Sequence, residues 1–132
     1  MASIGYGLEK QLTGVSLGDA RDRVTKALSA EGFGILTEID VKATLKKKLD
    51  VDFRPYVILG ACNPHLAHRA LQGEPQIGLL LPCNVVVQES PGGSLVSIAS
   101  PRAMFSILRR DDLEPIAVEA EARLRRVMEA LE

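Results

Sequence analysis

Tryptophan is absent from the sequence, and phenylalanine and tyrosine bring the aromatic share to only 4%. A surface that stacks single-stranded bases needs aromatic rings interleaved along a basic groove, and neither can be read here. An excess of one charge is missing too. Sixteen Lys and Arg face 17 Asp and Glu, for a net charge of −1. Bulk electrostatics therefore offers no hold on nucleic acid or on an anionic membrane. No apolar run approaches the roughly 20 residues of a membrane span. The opening residues MASIGYGLEK lack the basic stretch and apolar run of a secretory signal. The expectation is a cytoplasmic protein with no nucleic-acid and no membrane partner. Cysteine is scarce, with two residues in the chain. In a reducing compartment two such thiols are expected to stay free.

The remaining composition is that of a globular protein, 46% apolar and 25% charged over 132 residues. That length predicts a single domain, residues 1–132, able to bury a core without a disulfide or metal staple.

Ile4, Tyr6, Leu8 and Leu12 alternate with glycine and polar residues, interrupted by Lys10, and predict a first strand. Ser16 has the position of an N-cap, with Asp19 in the first turn. Leu17, Ala20, Val24, Ala27 and Leu28 follow at helical spacing until Gly32. Phe33 to Ile39 predicts a second strand, and Asp40 caps a short helix carrying Val41, Leu45 and Leu49. The lysines at its end, Lys46 to Lys48, suit a helix C-terminus.

Tyr56 to Cys62 is a continuous apolar run, the pattern of a buried strand. Asn63 then caps a helix with Pro64 at its first position and Leu66, Ala67, Ala70 and Leu71 as its buried stripe. Pro82 opens the strand CNVVVQE, SPGGS reads as a hairpin turn, and LVSIA returns. Ser100-Pro101 starts a short irregular or helical piece. Leu113 to Leu131 is a long amphipathic helix with Ile116, Ala117, Ala120, Leu124, Val127 and Met128 on one face.

The order β-α-β-α-β-α-β-β-α predicts an α+β two-layer sandwich. Its sheet is expected to be mostly antiparallel, of four to five strands, with helices mainly on one face. A mixed sheet with helices on both faces is the alternative. A sheet face left under-covered, together with the apolar LLLP segment before Cys83, predicts a two-fold homodimer.

The two cysteines stand in matching settings. An asparagine follows each, Cys62-Asn63 and Cys83-Asn84, and a proline flanks each pair. Cys62 ends a strand where a helix begins, a place that favours a thiolate or a bound anion. Cys83 begins what should be the neighbouring strand. The pairs are therefore expected to meet in one pocket lined by Cys62, Asn63, His65, Cys83 and Asn84. Cys62, His65 and Cys83 also form a candidate set for a soft metal, zinc or copper(I). Simpler readings stand beside these. Cysteine packs as a small hydrophobe, Asn63 is explained by capping, and His65 and His68 suit an exposed helix face. Arg102, Arg109 and Arg110 could hold an acidic ligand or merely solubilise the surface.

The segment GACNPHLAHRALQGEPQIGLLLPCNVVVQE resembles the domain of unknown function three-hundred-and-two family. The residues that carry the likeness include Gly60-Ala61-Cys62-Asn63-Pro64, Ala70-Leu71 and Ile77 through Val87. VSLGDARDRVTKALSAEGFGILTEIDV and SPRAMFSIL extend it over nearly the whole chain. The resemblance implies a TATA-binding-protein-like α+β domain, often a homodimer, and no established activity. The family often has Asp-Pro where this chain has Ser100-Pro101.

Two functions are consistent with these residues. One is a non-enzymatic ligand-, metal- or thiol-sensing protein acting as a dimer. The other is a small cysteine-dependent redox or thiol-transfer enzyme. No catalytic constellation assembles from the sequence, because no acid is placed to orient His65 or His68. The binding protein is therefore the leading expectation.

Overall fold

The computed structural model describes residues 1–132. Six strands form one sheet: β1 (Ala2–Ser3), β2 (Gly7–Thr13), β3 (Gly34–Asp40), β4 (Tyr56–Cys62), β5 (Cys83–Ser90) and β6 (Gly93–Ala99). Their spatial order is β1-β2-β6-β5-β4-β3, and every pairing is antiparallel. Five helices accompany them: α1 (Leu17–Ala30), α2 (Val41–Leu49), α3 (Pro64–Gly73), α4 (Pro101–Phe105) and α5 (Glu114–Ala130). Short 3₁₀ turns cover Pro75–Leu80 and Ser106–Leu108. No helix is long and apolar enough to cross a membrane.

The α+β expectation holds, with two corrections. The sheet has six strands, not four to five, because Ala2–Ser3, ahead of the predicted first strand, pairs with β2, and that first strand begins only at Gly7. Ile4 donates its N–H to the Gly7 carbonyl at 2.9 Å, and Gly5 takes φ +84°. This turn divides the alternating run, leaving Ile4 and Tyr6 exposed while Leu8 and Leu12 enter the core. The second correction is Leu71. It was expected in the buried stripe of α3 but is 40% exposed, while Leu66 and Ala70 are buried. The absence of any parallel pair also removes the mixed-sheet alternative.

Strand alternation sorts the core. Leu8 and Leu12 of β2, Val57, Leu59 and Ala61 of β4, Val85 and Val87 of β5, and Val96 and Ile98 of β6 share one face. Ala20, Val24 and Leu28 of α1 and Leu124, Val127 and Met128 of α5 lie on it. Each fully buried Val, Leu or Ile side chain contributes on the order of 1.5–3 kcal/mol. The apolar periods of α1 and α5 thus bury where they were expected. Lys10 interrupts β2 for a reason of its own. Its Nζ donates to the carbonyl oxygens of Met128, at 3.1 Å, and Leu131. The ammonium so closes the C-terminal end of α5, where unpaired carbonyls concentrate negative charge.

The side chains on the opposite sheet face are half-buried or exposed. In register, Ile39, Ile58, Val86, Ser97 and Glu9 cross it from β3 to β2. Ile39 is 48% exposed. The helix α2 buries no residue of its own.

A second, smaller core sits at one end of the sheet. Leu66 and Ala70 of α3, Ile77, Leu113, and Ile116 and Ala120 of α5 form it. Leu81 and Phe105 pack against it. This end, where β4 runs into α3 and β5 begins, carries both cysteines.

A thiol-lined cavity at the end of the sheet

Asn63 organises the β4–α3 junction. Its Oδ1 accepts the N–H of Leu66 at 3.2 Å, which caps α3, and its Nδ2 donates to the Glu31 carbonyl at 3.4 Å. Arg123 Nη1 of α5 donates to the same carbonyl at 3.1 Å. The C-terminus of α1, the N-terminus of α3 and the middle of α5 therefore meet around one oxygen. Gly32 makes this approach possible. It takes φ +85°, and a Cβ there would lie 3.0 Å from Asn63 Nδ2. Asn63 is 7% exposed, so each polar contact counts.

The expected juxtaposition of β4 and β5 is present. Ala61 and Cys83 are register partners, and Gly60 faces Asn84. A Cβ on Gly60 would lie 2.9 Å from the Pro82 ring and 2.3 Å from Thr37 Oγ1, so glycine lets the proline pack directly on the strand. By alternation Cys83 shares the side of Ala61, while Cys62 belongs to the next side-chain position. Both nevertheless line one small cavity of about 40 Å³, because it lies where the strands end. Asn63, Leu66, Pro82 and Phe105 complete much of its wall. Cys83 also lines an open groove of about 200 Å³ with Asn84, Ala99, Met104 and Phe105. Cys83 therefore borders both the small apolar cavity and the adjoining groove.

Of the five expected pocket residues, the small cavity unites Cys62, Asn63 and Cys83, and Asn84 joins through the adjoining groove. His65 lines neither, and its side chain is exposed on α3. No group of three His, Cys, Asp or Glu side chains is arranged to hold a metal ion, and this includes Cys62, His65 and Cys83. The alternation along α3 explains this, since Leu66 and Ala70 turn inward and carry His65 and His68 outward.

Both cysteines are free thiols. Burial pushes the Cys62 thiol above its ordinary range. Burial, with a smaller addition from neighbouring Cys62, pushes Cys83 up to about 11. The helix-terminus thiolate expected at Cys62 is therefore outweighed by removal from water, and burial acts the same way on Cys83.

The chain matches the family model described as Domain of unknown function DUF302 over residues 8–131. The chain belongs to the DUF302 family. A crystal structure described as an uncharacterized conserved protein DUF302 from Bacillus stearothermophilus has 28% sequence identity and a TM-score of 0.88. That likeness covers 96% of this chain and 98% of the other. No curated protein matches the chain.

One residue of this DUF302 domain escaped the sequence reading. Glu121 of α5 is 7% exposed and lies among the apolar residues of the helix. Its Oε1 accepts from Ser100 Oγ and from the Arg102 N–H at 3.3 Å. Arg125 reaches its other oxygen at 3.6 Å. Ser100 Oγ in turn accepts the Ala103 N–H at 3.2 Å, capping α4. The available signal was a charged residue inside the apolar stripe, four positions after Ala117 and three before Leu124.

Proposed function

We propose that this protein is a non-catalytic, dimeric binding or thiol-sensing protein whose site is formed by Cys62, Asn63, Cys83 and Asn84, working in the cytoplasm on a small, largely apolar ligand. The observation that carries this reading is that Cys83 lines both the small apolar cavity it shares with Cys62 and the larger groove beside it. A ligand in the groove meets the sulfur directly, and a ligand displacing Phe105 would reach Cys62 as well. The raised thiols favour binding over a cysteine-dependent enzyme, since a nucleophilic cysteine needs a stabilised thiolate and a nearby base. The single antiparallel sheet with α1 and α5 on one face supports the TATA-binding-protein-like arrangement.

The thiols supply the first test. Iodoacetamide is expected to modify both cysteines more slowly than a free cysteine at neutral pH, with Cys83 the slower. The Cys83 rate should keep rising until pH approaches about 11. Folding is linked to the same proton. The folded thiol holds its proton more tightly than an unfolded one of ordinary value 9.0, so its stabilising contribution is intact below pH 9 and is lost as pH rises toward 11. On the order of 3 kcal/mol should disappear over that interval. The alkaline slope of stability should be shallower in Cys83→Ala. Rapid alkylation of Cys83 at pH 7 would count for the enzyme and against this reading.

The dimer has its own support. The sheet face opposite α1 and α5 carries Ile39, Ile58 and Val86 in one row and Glu9 as its charged strand residue. So neutral a surface meets a copy of itself without like-charge repulsion, which suits an isologous two-fold contact. Light scattering at micromolar concentration is expected to give twice the 14.3 kDa chain mass. Ile58→Lys should return the chain mass with the fold intact. A wild-type mass equal to one chain removes the dimer from the proposal.

A further inference from the structure

Phe105 separates the Cys83 groove from a larger polar cleft of about 500 Å³, bounded by α4, the following 3₁₀ turn and α5. The volume falls within the usual size of small-molecule sites, about 300–1,000 Å³. Arg102, Arg109, Asp111 and Glu114 line it with their side chains uncommitted. Arg102, Arg109, Asp111 and Glu114 contribute only backbone groups to the hydrogen bonding of the region, and all four are exposed. The neighbouring charges are engaged. Arg110 is held by Asp112 through two bonds of 2.8 Å, by the Gly73 carbonyl at 3.0 Å and by Glu74 at 3.7 Å. Glu121 is held by Ser100, Arg102 and Arg125.

The free charges of the cleft are thus two guanidiniums and two carboxylates. A simple anion drawn to the arginines would also face the two acids, and a simple cation the reverse. A ligand carrying both charges satisfies both pairs. Arg109 closes its 3₁₀ turn at φ +53°, a left-handed conformation that glycine adopts without strain and that Asp50 also takes at the end of α2, at φ +52°. We propose that this cleft binds a small zwitterion of the amino-acid or short-peptide class, its carboxylate on Arg102 and Arg109 and its ammonium on Asp111 and Glu114. The forked guanidinium gives the carboxylate paired, charge-assisted hydrogen bonds. This site is distinct from the thiol-lined cavity, which lies on the other side of Phe105.

The test is an amide-shift titration of ¹⁵N-labelled protein with an equimolar pool of the 20 L-amino acids, then with glycylglycine, each up to about 10 mM, the range of weak binding. Shifts are expected within residues 100–121, the segment that lines the cleft. The N-acetylated and C-amidated forms of the probe that binds should each lose about tenfold in affinity, having lost one charge-assisted contact. Arg109→Gly separates binding from folding, because glycine relieves the left-handed strain. It should melt no lower than the wild type and still lose the shifts. Shifts centred on Cys62 and Cys83 instead would overturn the assignment while supporting the thiol-lined site. No shifts with either probe, full retention of binding by a blocked form, or full binding by Arg109→Gly would also overturn it.

Discussion

Asn63→Ala is expected to lower the unfolding free energy by about 2 kcal/mol and to speed alkylation of both cysteines under native conditions. The first part follows from what the amide holds. Loss of an N-cap costs about 0.5–2 kcal/mol, and the side chain also ties α3 to the Glu31 carbonyl. That carbonyl keeps Arg123 as a donor, so its own loss is partial. The second part follows from where α3 sits. Leu66 and Ala70 help to close the cavity that shields Cys62 and Cys83. Fraying of the first turn therefore opens it. Asn63→Asp separates the two contacts, since a carboxylate still caps α3 but has no N–H to give Glu31. It should retain more stability than alanine while losing the tie to α1. Urea denaturation measures the first effect and timed iodoacetamide labelling the second. A destabilised Asn63→Ala with unchanged thiol rates would mean that α3 does not control access to the cavity.

What the sequence made legible was whatever depends on neighbours in the chain. The apolar spacing of α1 and α5, the caps Ser16, Asp40 and Asn63, and the adjacency of β4 and β5 are properties of short segments, and each is where the residues placed it. The failures arose where a local pattern had two physical meanings. Ile4 and Tyr6 continue the alternation of β2, yet Gly5 lets the chain turn between them. Leu71 fits the helical period of α3 but lies at the margin of its stripe, where only Leu66 and Ala70 reach the second core. His65 is close to Cys62 in sequence, and helix rotation carries it away. Lys10 looked like an interruption of an apolar pattern and Glu121 went unread within one, but each is a polar tie from one element to another. A charge within an apolar stripe shows that a partner is needed and leaves its identity to the fold. The polar cleft was illegible for the same reason. Arg102, Arg109 and Arg110 stand close in sequence, and only the structure shows that Arg110 alone among them is engaged by acids.

Glu121→Ala is expected to be the most damaging single change considered, with a loss of about 3 kcal/mol. Hydrogen bonds to a charged group contribute about 1.5–3 kcal/mol each, and a buried donor left without an acceptor adds its desolvation cost. Here the carboxylate accepts from Ser100 Oγ and the Arg102 N–H, both at the start of α4, and meets Arg125. Five residues are too few for a stable isolated helix, so α4 depends on such external ties. Without Glu121 the Ser100 hydroxyl proton and the Arg102 N–H have no partner, and α4 loses its anchor on α5. The amides of Ala103 and Met104, which bond to Ser100 Oγ and the Ser100 carbonyl, should then exchange with solvent faster than the amides of β5 and β6. Glu121→Gln retains an acceptor oxygen at the same reach but not the charge, and should lose about 1 kcal/mol, the difference between a charged and a neutral hydrogen bond. This ordering distinguishes an anchor from mere volume. Glu121→Met fills the space with an apolar chain, and it should behave like alanine at Ala103 and Met104 even if it recovers some global stability. Both the thiol groove and the polar cleft use α4 as a wall. Loosening α4 should therefore disturb the two sites together, whereas Asn63→Ala should disturb only the first. Unchanged exchange at Ala103 and Met104 in Glu121→Ala would show that α4 is held by Pro101 and Phe105 packing and not by the buried carboxylate.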